Sequence, residues 1–315
     1  MCTLVLPPAP PSPKDDAMQL HRAFKGFRCD TSTVINILAH RDATQRASLQ
    51  HEYTSMYSHD LLKRISSKLS GRLENALLLW MHCPAGRDAV ILKQTLTVNK
   101  NLEAATEIIC SRTPSQLQCL RHIYYNKFSI YLERDIQTNT SSYHKKILLA
   151  YVSTPRHESP EVDKEMAEND AVVLYKAGEK RLGTDGKTFV RIISERSAAQ
   201  LATINQFYRS KYGHSLKKAI KKQTSGSFGR ALLTIVQCAE NPAKYFAKVL
   251  RRGMKGLGRD DKRLTRVIVT RCEIDLHYIK AEYLYKYKKT LNDAVHSKTS
   301  GHYRAFLLSL LNPFQ

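Results

Sequence analysis

The chain has 315 residues, with 50 Lys and Arg against 28 Asp and Glu, for a net charge of +22. At 42% hydrophobic and 25% charged residues, with 13 Gly and 11 Pro, it is neither disordered nor collagen-like nor low in complexity. No apolar run approaches the roughly 20 residues of a membrane-spanning helix, MCTLVLPPAPPSPK lacks the form of a secretory signal, and Cys2 stands where myristoylation needs a glycine.

The excess of positive charge points to anionic partners, whether acidic lipid, nucleic acid or acidic protein. Cysteines stand at 2, 29, 83, 110, 119, 238 and 272, an odd number with no C-x-x-C pair. This usage fits a reducing, cytoplasmic setting. Cys110 and Cys238 lie in apolar helical runs, where they read as buried packing thiols, with a redox pair as the alternative.

In chain order, residues 1–16 form a Pro-rich stretch expected to be extended. Four copies of one pattern follow, at 17–84, 88–152, 171–243 and 244–315. Each carries an apolar helix end closed by Arg: Arg41, Arg112, Arg196 and Arg271. Twelve residues on stand Tyr53, Tyr124, Tyr208 and Tyr283; twenty on stand Leu61, Leu132, Leu216 and Leu291. Thirty on stand Gly71, Ser142, Gly226 and Gly301, each preceded by Ser, and thirty-seven on stand Leu78, Leu149, Leu233 and Leu308. Four copies in phase without a gap are a true repeat.

Runs such as Val34, Ile35, Ile37 and Leu38 have helical spacing, and no alternating strand pattern competes. Thr31 with Ser32, and Thr184 with Asp185, stand where N-caps belong. About five short helices fit each copy, so the expected fold is all-α. Between the second and third copies, residues 153–170 hold six acids and two basic residues, a net of −4 in a basic protein. This reads as a solvated acidic linker that splits the chain into two halves of two copies each.

Three copies carry a Gly-containing loop ahead of the marker Arg: AFKGFRCD (23–30), KRLGTDG (180–186) and GMKGLGRD (253–260). Glycine permits the positive φ that turns successive carbonyls toward one point, as a hard cation requires. With these loops, the R-x-x-x-Q helix start and the Ser-Gly turn, the chain resembles a plant annexin over residues 17–315. The resemblance implies a curved disc of four five-helix repeats whose calcium loops bridge to acidic phospholipid.

By that resemblance the carbonyl donors are Phe24, Gly26 and Arg28 in repeat 1, Gly178, Arg181 and Gly183 in repeat 3, and Met254, Gly256 and Gly258 in repeat 4. Repeat 2 has only VNKNLE at 98–103 and is degenerate. The family's bidentate acid, three residues before the turn Gly, is replaced by Lys68, Asn139, Gln223 and Lys298. Calcium is therefore expected to bind weakly or not at all, with repeat 3 best placed because Gln223 keeps a side-chain carbonyl.

The chain's own cations are expected to take over. Residues 244–315 hold sixteen Lys or Arg and six acids, a net of +10. Lys255, Arg259 and the loop-tip residues Phe27, Leu182 and Leu257 are the expected membrane contacts, the last three having packing beneath the loop as the alternative. The implied location is cytoplasmic, peripheral to plasma membrane or endomembranes. A polyanion scaffold for RNA or heparin is the rival binding reading, though no recognition motif for nucleic acid is visible. Peroxidase, ion-channel, actin-binding or annexin–annexin roles enter only as suggestions from plant annexins; His40 falls at the proposed peroxidase position. The G-K-T of GTDGKTF (183–189) lacks the Gly a phosphate loop needs at Arg181, and no catalytic constellation stands out, so the chain is read as a non-enzyme.

Overall fold

The computed structural model describes residues 12–255 and 260–311; these form twenty α-helices and no strand, five helices to a repeat. Repeat 1 comprises α1 (Pro13–Phe24), α2 (Thr31–Ala39), α3 (Ala43–Tyr57), α4 (Leu61–Lys68) and α5 (Gly71–Met81). Repeat 2 comprises α6 (Pro84–Lys93), α7 (Leu102–Cys110), α8 (Pro114–Phe128), α9 (Leu132–Asn139) and α10 (Ser142–Ser153), with a π-helical turn at Gln94–Val98 after α6. Repeat 3 runs from α11 (Lys164–Ala177) through α12 (Gly186–Glu195), α13 (Ala198–Tyr212) and α14 (Leu216–Gln223) to α15 (Gly226–Glu240). Repeat 4 has α16 (Pro242–Gly253), α17 (Asp261–Arg271), α18 (Leu276–Tyr287), α19 (Leu291–Lys298) and α20 (Gly301–Leu311).

The in-phase residues have structural jobs. Tyr53, Tyr124, Tyr208 and Tyr283 are buried in the repeat cores, as are Leu61, Leu132, Leu216 and Leu291. At the next mark Gly71, Gly226 and Gly301 have φ of 67°, 60° and 60°, and Ser142 follows at 50°. That left-handed turn between fourth and fifth helices explains Gly in three repeats and makes Ser142 the strained exception. The marker arginines are clamped by aspartates: Arg41 Nε lies 2.6 Å from Asp16, Arg112 2.6 Å from Asp88 and Arg196 2.6 Å from Asp170. In repeat 4 Phe246 takes the Asp place, Arg271 stacks on its ring at 4.4 Å, and Asp275 supplies the carboxylate at 2.6 Å.

Three sequence expectations change. Residues 13–16 are not an extended tail: Pro13 opens α1, and Asp16 is buried against Arg41. The acidic stretch ends early, because α11 begins at Lys164 and Asp170 is buried against Arg196. The cap of α2 is Asp30, whose carboxylate accepts the Thr33 N–H at 3.1 Å; Thr31 is already helical.

The two halves are also composed differently. One compact unit is residues 1–87 with 246–315, repeats 1 and 4; the other is residues 88–245, repeats 2 and 3. In the first, Glu273 holds Arg46 at 3.0 Å and Arg87 at 2.6 Å, and both guanidiniums stack on Trp80 at 3.8 and 4.2 Å. The Trp80 indole donates to the Leu38 carbonyl at 2.7 Å. In the second, Tyr143 packs on Phe228 and against Gly186, where a Cβ would meet its ring at 2.8 Å. The Gly of G-K-T is thus a packing glycine. Composition marks the acidic stretch as a boundary, but these long-range contacts pair the repeats across it.

Candidate functional site

The loop between the first and second helices is closed in the same way in repeats 1, 3 and 4. An Asp closes it by donating its N–H to the end of the preceding helix: Asp30 to Ala23 at 2.9 Å, Asp185 to Ala177 at 2.8 Å and Asp260 to Gly253 at 2.9 Å. The same Asp side chain then caps the next helix. Gly26 and Gly183 have φ of 99° and 76°, as the carbonyl-turning loop requires.

In repeat 1 those carbonyls already face cations. Arg64 and Lys68, one turn apart on α4, share a helix face. The Lys68 ammonium donates to the Gly26 carbonyl at 3.1 Å, and the Arg64 guanidinium to the Phe24 carbonyl at 3.4 Å. Two of the three carbonyls that the resemblance assigns to calcium are thus engaged by side-chain cations. As placed, these carbonyls meet side-chain cations, whereas a calcium ion takes six to eight oxygen ligands.

The other repeats differ. In repeat 2 Asn139 at the lost acid position donates to the Asp135 carbonyl at 2.9 Å. In repeat 3 the Gln223 backbone carbonyl accepts the Thr184 hydroxyl at 2.6 Å, and its side chain packs beside Gly178. The nearby Glu179 carboxylate is committed: Tyr208 donates to it at 2.6 Å, and His214 Nε2 lies at 2.8 Å. These bonds outweigh its partial burial and hold its pKa below the usual value. In repeat 4 Met254 is buried, Lys255 is exposed and Lys298 ends α19, while Gly256, Leu257, Gly258 and Arg259 lie outside the described residues. Among the described residues no cluster of three or more His, Cys, Asp or Glu could hold a metal ion.

The loop tips are exposed. Phe27 and Leu182 are fully open to solvent, at 104% and 101%, so neither packs beneath its loop. Val98, which sequence reading passed over, is 76% exposed. Counting fourteen residues back from each marker Arg gives Phe27, Val98, Leu182 and Leu257, so the repeat register itself contained the signal.

Cys110 is fully buried in α7, and burial, then the neighbouring Cys238, push its thiol pKa far up, against thiolate chemistry. His40 Nδ1 hydrogen-bonds the Asn36 carbonyl at 2.7 Å, as a helix-end contact. No helix among the described residues is long and apolar enough to cross a membrane.

The Annexin family model matches four times, at residues 15–80, 87–151, 169–235 and 245–310. Annexin D5 of Arabidopsis thaliana is 50% identical over 314 residues, covering 99% of both chains. Among solved structures, annexin III superposes with a TM-score of 0.94 at 35% identity, covering 98% of this chain and 96% of its own. Calcium-bound annexin (Sm)1 superposes with a TM-score of 0.82 at 28% identity, covering 96% and 92%. Four matched repeats, with relatives aligned from end to end, make this chain a member of the annexin family.

Proposed function

We propose that the chain docks peripherally on acidic phospholipid membranes, and that in repeat 1 its own lysine and arginine take the place of calcium. The observation that carries this reading is the Lys68 ammonium on the Gly26 carbonyl, with Arg64 on Phe24. An ammonium three residues before Gly71 repels the ion that a carboxylate there would bind, and it already supplies positive charge beside the loop.

The exposed tips Phe27, Val98 and Leu182 add apolar surface to bury among headgroups. The net charge of +22 supports calcium-free attraction, at about 1 kcal/mol for each basic residue near an anionic leaflet. Repeat 3 retains weak calcium binding through Gly178, Arg181 and Gly183, with Gln223 in place of the acid. The cytoplasmic face of plasma membrane or endomembranes is the corresponding location.

Co-sedimentation with phosphatidylserine vesicles tests the reading, in calcium or chelator and at low or high salt. Chelator should leave a substantial bound fraction at low salt, and high salt should release it. Loss of all binding in chelator at low salt would refute it.

A further inference from the structure

The four in-phase tyrosines are chemically unequal. In repeat 2 the Tyr124 hydroxyl donates to Asp135 at 2.5 Å. In repeat 3 the Tyr208 hydroxyl donates to Glu179 at 2.6 Å. Each buried phenol therefore rests on a carboxylate from its own repeat. Repeat 1 has neither: Arg64 stands at the Asp135 position and, counted from the buried Asp16 and Asp170 of the first helices, Lys25 stands at the Glu179 position.

The result is a set of buried polar atoms with no hydrogen-bond acceptor among the described residues. Tyr53 is 0% exposed, and its hydroxyl, Arg64 Nε and His21 Nδ1 are all buried without a hydrogen bond. They are neighbours. The rings of His21 and Tyr53 lie 6.2 Å apart, and His21 stacks on Tyr57 at 3.8 Å. Burial raises the Tyr53 pKa, and the Arg64 guanidinium acts against it, both by its charge and by its approach to the hydroxyl. Burial lowers that of His21, and the charges acting on it, Arg64, Lys25 and His59, act the same way. Repeat 4 also leaves its Tyr283 hydroxyl without a partner, but there Ala294 stands in the Arg64 position. Only repeat 1 puts a guanidinium where a sister repeat has its carboxylate.

A buried donor without an acceptor costs about 1–3 kcal/mol, and an arginine is the side chain best shaped for phosphate. We propose that Tyr53, Arg64 and His21 form an anion site that takes a phosphoryl group, an external acceptor in the place that Asp135 and Glu179 fill in repeats 2 and 3. Lys25 and His59, both exposed, bring further positive or titratable groups to it. The phosphoryl group can come from free phosphate or from a lipid headgroup. Only the second source rests on the membrane reading above.

The test is isothermal titration of the full chain with sodium phosphate at pH 7, ionic strength being held constant with sodium chloride. One saturable site is expected. Arg64→Gln should weaken it at least about tenfold, and Tyr53→Phe should weaken it too. Arg64→Asp copies repeat 2 and should abolish binding while leaving the phosphate-free melting temperature at or above wild type, which separates loss of the site from failure to fold. Lys63→Gln, exposed on the same helix, controls for general charge and should bind phosphate as wild type does.

In parallel, phosphatidylcholine vesicles carrying phosphatidic acid are titrated in chelator. A loss of vesicle affinity in Arg64→Gln beyond that in Lys63→Gln, without a free-phosphate site, assigns the ligand to the headgroup. Arg64-dependent phosphate binding by a chain that ignores vesicles would sink the membrane reading alone. If Arg64→Gln matches Lys63→Gln in both titrations, the anion site is overturned.

Discussion

Replacing Lys68 by Glu should restore a calcium site in repeat 1, and the size of the effect follows from where the ammonium sits. Its Nζ is 3.1 Å from the Gly26 carbonyl oxygen. A calcium ion on that oxygen would lie at 2.3–2.6 Å, so ion and ammonium compete for one space and the lysine must swing away. Even at about 4 Å, a unit charge and a divalent ion repel by roughly 2 kcal/mol in bulk water and about 8 kcal/mol at an effective dielectric near 20. Lys68 is half-buried at the rim of the loop, so the lower end of that range applies. Lys68→Glu reverses the sign of the interaction and adds carboxylate oxygens. Arg64 still holds the Phe24 carbonyl, which limits the gain. The net expectation is at least about a 100-fold increase in calcium affinity at this loop, equivalent to about 2.8 kcal/mol. Isothermal titration of both proteins with calcium, alone and with phosphatidylserine vesicles, measures it. Unchanged affinity in Lys68→Glu would refute the argument that this ammonium excludes the ion.

Other outcomes follow from the same contacts. Phe27→Ser, Val98→Ser and Leu182→Ser should each weaken vesicle binding by up to about tenfold with little change in melting temperature, since these side chains are exposed; equal affinity in all three would remove the tips from the interface. Glu273→Gln leaves Arg46 and Arg87 buried around Trp80 without their carboxylate and should cost about 3–5 kcal/mol in urea unfolding; a loss under about 1 kcal/mol would mean the Trp80 stacking suffices. His144 is buried, and since the Thr106 hydroxyl donates to Leu102, His144 Nε2 donates to Thr106 at 2.8 Å as a neutral ring. Burial, then Arg230, lower its pKa from 6.5 to about 4. The unfolded chain therefore binds the extra proton first, so stability is full above about pH 6.5 and falls as pH drops toward about 4, by about 3 kcal/mol in total. His144→Gln should flatten that part of a melting-temperature profile, and an unchanged slope would assign it elsewhere.

The fold was legible because its repeat is written in core positions. Tyr53 and Leu61 with their counterparts are buried, and the left-handed turn needs Gly, so the spacing survives in the chain. The pairing of repeats was not legible. It rests on Glu273 meeting Arg46 and Arg87 over Trp80, contacts between distant residues with no local signature, while the acidic stretch mimics a boundary. Arg271 shows a similar limit: its partner moves from the first helix of the repeat to Asp275, four residues on, once Phe246 takes the usual place. At the loops, the sequence puts Lys68 where the resemblance expects an acid. That its ammonium reaches the Gly26 carbonyl depends on how α4 packs beside the loop, which spacing alone does not encode. Val98 was hidden because repeat 2 lacks the glycines that draw attention to such a loop, although its register matches Phe27 and Leu182.

The most direct test is a crystal structure of the wild-type protein grown in millimolar calcium, read at the repeat 1 loop. The Lys68 ammonium should remain on the Gly26 carbonyl and Arg64 on Phe24, with no ion between them. An ion ligated by the Phe24, Gly26 and Arg28 carbonyls, with Lys68 swung into solvent, would contradict this expectation.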